Sequence, residues 1–102
     1  MKKHTLYIGL NDATEKRQII GTENARRIVE NIFYDVIGGA TLSEARGIYK
    51  HIDGTRIVEN TIRAEVFGAE DSDIEYIAEY LKKALNQESV AVEYSEVVSR
   101  FI

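Results

Sequence analysis

The 102-residue chain has no cysteine, proline or tryptophan. Without cysteine there are no disulfides, no thiolate metal ligands and no cysteine nucleophile. Without proline there are no proline-rich linkers and no cis-proline turns. No apolar run approaches the ~20 residues that a bilayer span needs. Met1-Lys2-Lys3 leads only into Leu6 to Leu10 before Asn11 and Asp12, too short and polar for a signal peptide, so the expected compartment is the cytoplasm. What remains is an ordinary globular balance, 44 % hydrophobic and 29 % charged, in a length that suits one domain.

Charge is unevenly spread. The net charge is −4, but residues 1–51 carry eight bases against six acids and residues 52–102 five against eleven. Glu65, Glu70, Asp71, Asp73, Glu75 and Glu79 follow one another with no lysine or arginine between them. This argues against direct binding of nucleic acid, which needs a basic surface. An acidic surface of Glu70, Asp71, Asp73, Glu75 and Glu79 suits a basic protein partner instead.

Thr5 to Leu10 alternates with Leu6, Ile8 and Leu10 on one face, a strand signature. Asn11 to Gly21 reads as a loop. Thr22 stands at an N-cap position before Ala25, Ile28, Val29, Ile32, Phe33, Val36 and Ile37, the spacing of a one-faced helix, which Gly38-Gly39 ends. Thr41–Ile52 and Thr55–Gly68 read as two strands joined by a two-residue Asp53-Gly54 turn. That closure places Ile52 opposite Thr55 and Glu44 opposite Arg63. It puts Ile62, Ala64 and Val66 on one face and Leu42, Ile48, Ile52 and Ile57 on the other, unless a β-bulge shifts one strand by a residue. Ser72 and Glu75 match a capping box for a second helix with the stripe Ile74, Ile77, Ala78, Leu81 and Leu85. Ser89 to Tyr94 alternates as a last strand, and the apolar tail Val97–Ile102 is expected to dock on the body.

The order β-α-β-β-α-β predicts a single ferredoxin-like α+β domain over residues 1–102, with an antiparallel four-stranded sheet and both helices on one face. The other face of such a sheet is bare. Tyr7, Leu42, Ile48, Ile52 and Ile57 are expected there, and an apolar patch of that kind marks a partner surface, so a homo-oligomer is expected.

His4 and His51 have no chelating spacing and no cysteine to help them, so no metal and no cofactor are expected. No nucleophile elbow, phosphate-binding loop or dinucleotide fingerprint is present. The most suggestive group lies on the hairpin: Arg46, Tyr49, His51, Arg56, Glu59 and Arg63. Guanidinium groups with a tyrosine ring suit a small anionic, nucleotide-like ligand. The working expectation is a binding module rather than an enzyme. Two alternatives compete with it: an acidic inhibitor such as a phage counter-defence factor, and a dimeric α/β-barrel enzyme of the small isomerase or monooxygenase type.

Leu6-Tyr7-Ile8-Gly9-Leu10, Thr41-Leu42-Ser43-Glu44-Ala45-Arg46-Gly47-Ile48-Tyr49, Gly54 to Glu59, and Gln87-Glu88-Ser89-Val90 occur in that order. Together they resemble an uncharacterised family of small bacterial proteins with the pattern Tyr-Phe-Gly-Leu, Thr-Leu-x-x-Ala-x-Gly-x-Trp, Gly-x-x-x-x-Glu and Gln-Glu-Ser-Val. The likeness runs from residue 6 to about 94. It implies a shared fold rather than an activity, and it singles out Tyr7, Gly9, Gly47, Tyr49, Glu59, Gln87 and Glu88. Many members of that family are exported or lipid-anchored. Here Tyr49 stands in place of the tryptophan, and there is no cysteine to acylate.

Overall fold

Alternation in the first strand, β1 (Lys2–Gly9), buries Leu6 and Ile8 on one face. The computed structural model describes all 102 residues. It continues through α1 (Thr22–Ile37), β2 (Thr41–Lys50), β3 (Arg56–Phe67), α2 (Asp71–Ala84) and β4 (Ala91–Glu96). The strands form one sheet of order β2-β3-β1-β4 in which every neighbouring pair is antiparallel. This is the ferredoxin-like α+β arrangement that the element order predicts.

Both helices bury the stripes expected of them. Ala25, Val29, Ile32 and Phe33 of α1, with Ile74, Ile77 and Leu81 of α2, close over Leu6, Ile8, Ile62, Ala64 and Val66. Gly38 ends α1 in the left-handed conformation at φ 89°, and its N–H reaches the Tyr34 carbonyl.

The helix starts differ from expectation. The N-cap of α1 is Gly21, not Thr22, and no side chain caps it. Thr22 Oγ1 instead accepts from Gln18 Nε2 at 3.0 Å. Likewise α2 starts after Glu70 with no side-chain cap, so the Ser72–Glu75 capping box does not form. Asp71 takes the first helical position, and its carboxylate serves another purpose described below.

The hairpin corrects the expected register. His51 N–H bonds the Thr55 carbonyl at 2.8 Å and Gly54 N–H the His51 carbonyl at 2.9 Å. The loop is therefore the three residues Ile52, Asp53 and Gly54, with Gly54 at φ 89°. One extra loop residue slips β2 by one place against β3. Glu44 faces Ile62, and Arg63 faces Ser43 rather than Glu44. The slip moves side chains to the other face. Leu42 now opposes Ala64 and packs against the core, and Ile48 opposes Val58 on the helix side of the sheet. Ile52 lies in the loop itself, 99 % exposed. Of the five residues expected on the bare face, only Tyr7 and Ile57 are there.

That face is largely polar. Lys3 and Arg63 both pair with Glu65, at 2.6 and 2.9 Å, and Tyr7 donates to Glu93 at 3.2 Å. Phe67 and Tyr49 leave some apolar surface exposed on it, and more is found elsewhere. The outer half of the hairpin runs past the helices, leaving Ile48 62 % exposed in a molecule 46 Å long and 24 Å across. The tail docks only lightly. Val97 N–H bonds the Met1 carbonyl and Phe101 meets Phe67 edge-on, while Val98 and Ile102 lie open.

Candidate functional site

Beside the outer half of the hairpin, on the face away from the helices, the loop after β1 and the segment before β4 border an open cavity of about 190 Å³. β2 and β3 supply Tyr49, Ile57 and Glu59, His51 stands between β2 and the hairpin loop, and the first loop supplies Asn11, Asp12 and Lys16. Gln87, Glu88 and Ser89 close the remaining side.

Glu59 is the best positioned of these groups. It faces Gly47 across the ladder, and its carboxylate lies over Gly9, where a Cβ would sit only 2.5–2.7 Å from the carboxylate atoms. A Cβ on Gly47 would meet the Glu59 Cγ at 3.7 Å. Gly9 thus leaves the bed on which the Glu59 carboxylate lies, while at Gly47 a Cβ would be in ordinary contact. Asn11 N–H donates to Glu59 Oε2 at 3.2 Å and holds it there. Burial raises the pKa of the adjacent Tyr49 phenol, and the negative charges of Glu59 and Glu88 raise it further, with Lys16 opposing. The ring therefore stays a neutral phenol beside the carboxylates.

The flanking loop is built firmly. The Asp12 carboxylate accepts from the Thr14 and Glu15 amides and from Asn86 Nδ2, between 2.9 and 3.0 Å. The Glu15 amide, then Asn86, hold its pKa below the usual carboxylate range. Gln87 Nε2 donates to the Asn11 carbonyl at 2.7 Å, tying the segment before β4 to the loop.

Of the six hairpin residues expected to bind a ligand, Tyr49, His51 and Glu59 come together here. Arg46, Arg56 and Arg63 do not line the cavity. Arg46 sits between Ala45 and Gly47, on the opposite face of β2 from Tyr49. Arg56 faces Lys50 beside the loop, and Arg63 is engaged with Glu65. Of the residues the resemblance singles out, Tyr49, Glu59, Gln87 and Glu88 line the cavity. Gly9 and Gly47 bracket Glu59, while Tyr7 stands apart against Glu93. Sequence reasoning missed Asn11, Asp12 and Lys16. Their signal was the turn-forming run Asn11-Asp12-Ala13-Thr14, which reads only as a loop until the tertiary structure closes it.

A second polar cluster sits near the opposite end of the sheet. His4, 2 % exposed, has Nε2 2.8 Å from Asp71 Oδ1, and Lys2 Nζ lies 2.8 Å from Asp71 Oδ2. A carboxylate only accepts, so Nε2 carries the hydrogen, and His4 Nδ1 is buried without a partner. Asp71 is thus a clamp between β1 and α2 rather than part of a free acidic surface. Glu70, Asp73 and Glu75 remain in the outer acidic set without ion-pair partners, while Glu79 pairs with Lys82 at 3.2 Å. No helix is long and apolar enough to cross a membrane.

No family model matches the chain, and no curated protein does. Solved structures do share its fold. A phage SAM lyase in complex with S-methyl-5′-thioadenosine superposes with a TM-score of 0.67 at 19 % identity, over 93 % of this chain and 80 % of the other. The same kind of enzyme in its apo state gives 0.65 at 21 % identity, over 92 % and 78 % of the two chains. The divalent ion tolerance protein CutA1 from Ehrlichia chaffeensis gives 0.55 at 12 % identity, over 97 % and 84 %. At these identities the likeness is one of fold.

Proposed function

We propose that the chain is a small-ligand module whose cavity takes an adenosine-bearing ligand with a positively charged centre, S-adenosylmethionine being the first to try. The observation that carries this reading is the Glu59 carboxylate laid over Gly9 beside Tyr49. With Glu88 and Asp12 against Lys16, the lining is more acidic than basic. Carboxylates attract a sulfonium or ammonium centre, and an aromatic ring beside them adds cation–π attraction. A nucleotide polyphosphate would meet repulsion at the same place. Support also comes from the shared fold with a SAM lyase that holds S-methyl-5′-thioadenosine.

Calorimetry of the full chain with S-adenosylmethionine, S-methyl-5′-thioadenosine and ATP tests this. Binding of S-adenosylmethionine, weakened about tenfold or more by Glu59→Gln, together with silence toward ATP supports the reading. ATP binding with both adenosyl compounds silent overturns it and returns the site to the hairpin arginines. Chromatography of the same mixtures for newly released S-methyl-5′-thioadenosine decides whether the ligand is held or cleaved.

The module works as a homo-oligomer. A cavity of about 190 Å³ is below the ~300 Å³ at which pockets enclose a whole ligand of this size, so such a ligand would protrude and offer the rest of its surface to a second copy. The projecting hairpin has the chemistry to do so. It is apolar at Ile48, Ile52 and Val58 and basic at Arg46, Lys50 and Arg56, against an acidic second half of the chain.

A further inference from the structure

Lys16 is one of two non-glycine residues with positive φ, at 61°. Long side chains seldom adopt that conformation, and here the loop enforces it. Lys16 N–H bonds the Asp12 carbonyl and Asp12 N–H the Arg17 carbonyl, both at 2.8 Å. The turn delivers the Lys16 ammonium to the rim of the cavity, 3.4 Å from Glu88 Oε1. Both side chains are mostly exposed, so the pair contributes little to stability and each partner is easily exchanged. Glu59, Glu88 and Asp12 supply acids there, and Lys16 is the only lysine or arginine of the lining.

Resting on the ligand class proposed above, we infer that Lys16 reads the carboxylate of an α-amino-acid group on the ligand. The ligand carboxylate takes the place of Glu88 on the ammonium, and Glu88 is released to accept from the ligand's own α-ammonium. A zwitterionic headgroup thus replaces a zwitterionic pair, with both charges conserved. The cavity would then distinguish a ligand bearing an intact amino acid from one that has lost its carboxylate, although both carry the sulfonium that Glu59 attracts.

Titration calorimetry with S-adenosylmethionine and its decarboxylated analogue isolates the carboxylate. Wild type should prefer the intact ligand about tenfold, the scale of one charge-assisted contact at a half-open site. Lys16→Met should bring the two affinities together by weakening only the intact ligand, and Lys16→Arg should keep most of the preference. A wild type that binds both ligands equally, or a Lys16→Met variant that keeps the preference, overturns this inference and leaves the ligand class standing. A wild type that binds neither ligand removes both.

Discussion

Glu59 needs the absence of a side chain at Gly9 to lie where it does. In Gly9→Ala the new Cβ would meet the far end of a flexible side chain, so the carboxylate should swing away while the backbone stays put. Gly9 does not have the positive φ that would penalise alanine. Stability in urea should remain within about 1 kcal/mol of wild type, with ligand affinity falling as far as in Glu59→Gln. A large loss of stability instead would show that Glu59 cannot move. Asp71 makes a different prediction. Its hydrogen bond from Lys2, then that from His4, lowers its folded pKa below 3.8. It therefore contributes stability above its unfolded value, lost as pH falls through the lowered folded value. Asp71→Asn should be less stable than wild type at pH 7, and the gap should close as both are titrated toward pH 2 and unfolded by urea.

Among the elements, the helices were the most legible. Their apolar spacing named the buried residues correctly, because a one-faced stripe needs only sequence distance to declare itself. The caps were not legible. Thr22 and Ser72 had the right chemistry, yet neighbouring groups claimed Thr22 for Gln18 and put Asp71 at the start of α2. Gly38→Ala, at φ 89°, should cost about 1–2 kcal/mol in chemical unfolding, because an L side chain there meets its own backbone. The hairpin shows how one residue redirects a whole strand. A two-residue and a three-residue loop read alike around Asp53-Gly54, and the choice exchanges the faces of Leu42 and Ile48. Hydrogen exchange should find the outer hairpin amides, from Tyr49 to Ile57, among the least protected of the sheet, since a two-stranded ribbon holds poorly alone. Ligand or a second copy should slow them.

At the scale of the whole molecule, the sheet covers its helix side well and its open side with paired charges. The apolar surplus is carried to the outer hairpin and the C-terminal tail instead. Sedimentation of the 11.6 kDa chain should show an assembly, and Ile48→Asp combined with Ile52→Asp should shift it to monomer. If a neighbouring hairpin completes the cavity as proposed, the same pair of changes should also weaken ligand binding. A wild type that stays monomeric at high micromolar concentration would remove the assembly and the shared cavity together.

The order of elements, the helix stripes and the α+β class followed from the sequence alone, because periodicity and turn chemistry are local. The cavity did not. Asn11, Lys16, Tyr49, Glu59 and Glu88 are scattered over 78 positions, and only the antiparallel closure of β1 against β3 and β4 brings their loops to one end of the sheet. Register decided the rest. Side-chain facing alternates at every residue, so a single loop residue that no local pattern distinguishes settled which face each hairpin side chain took.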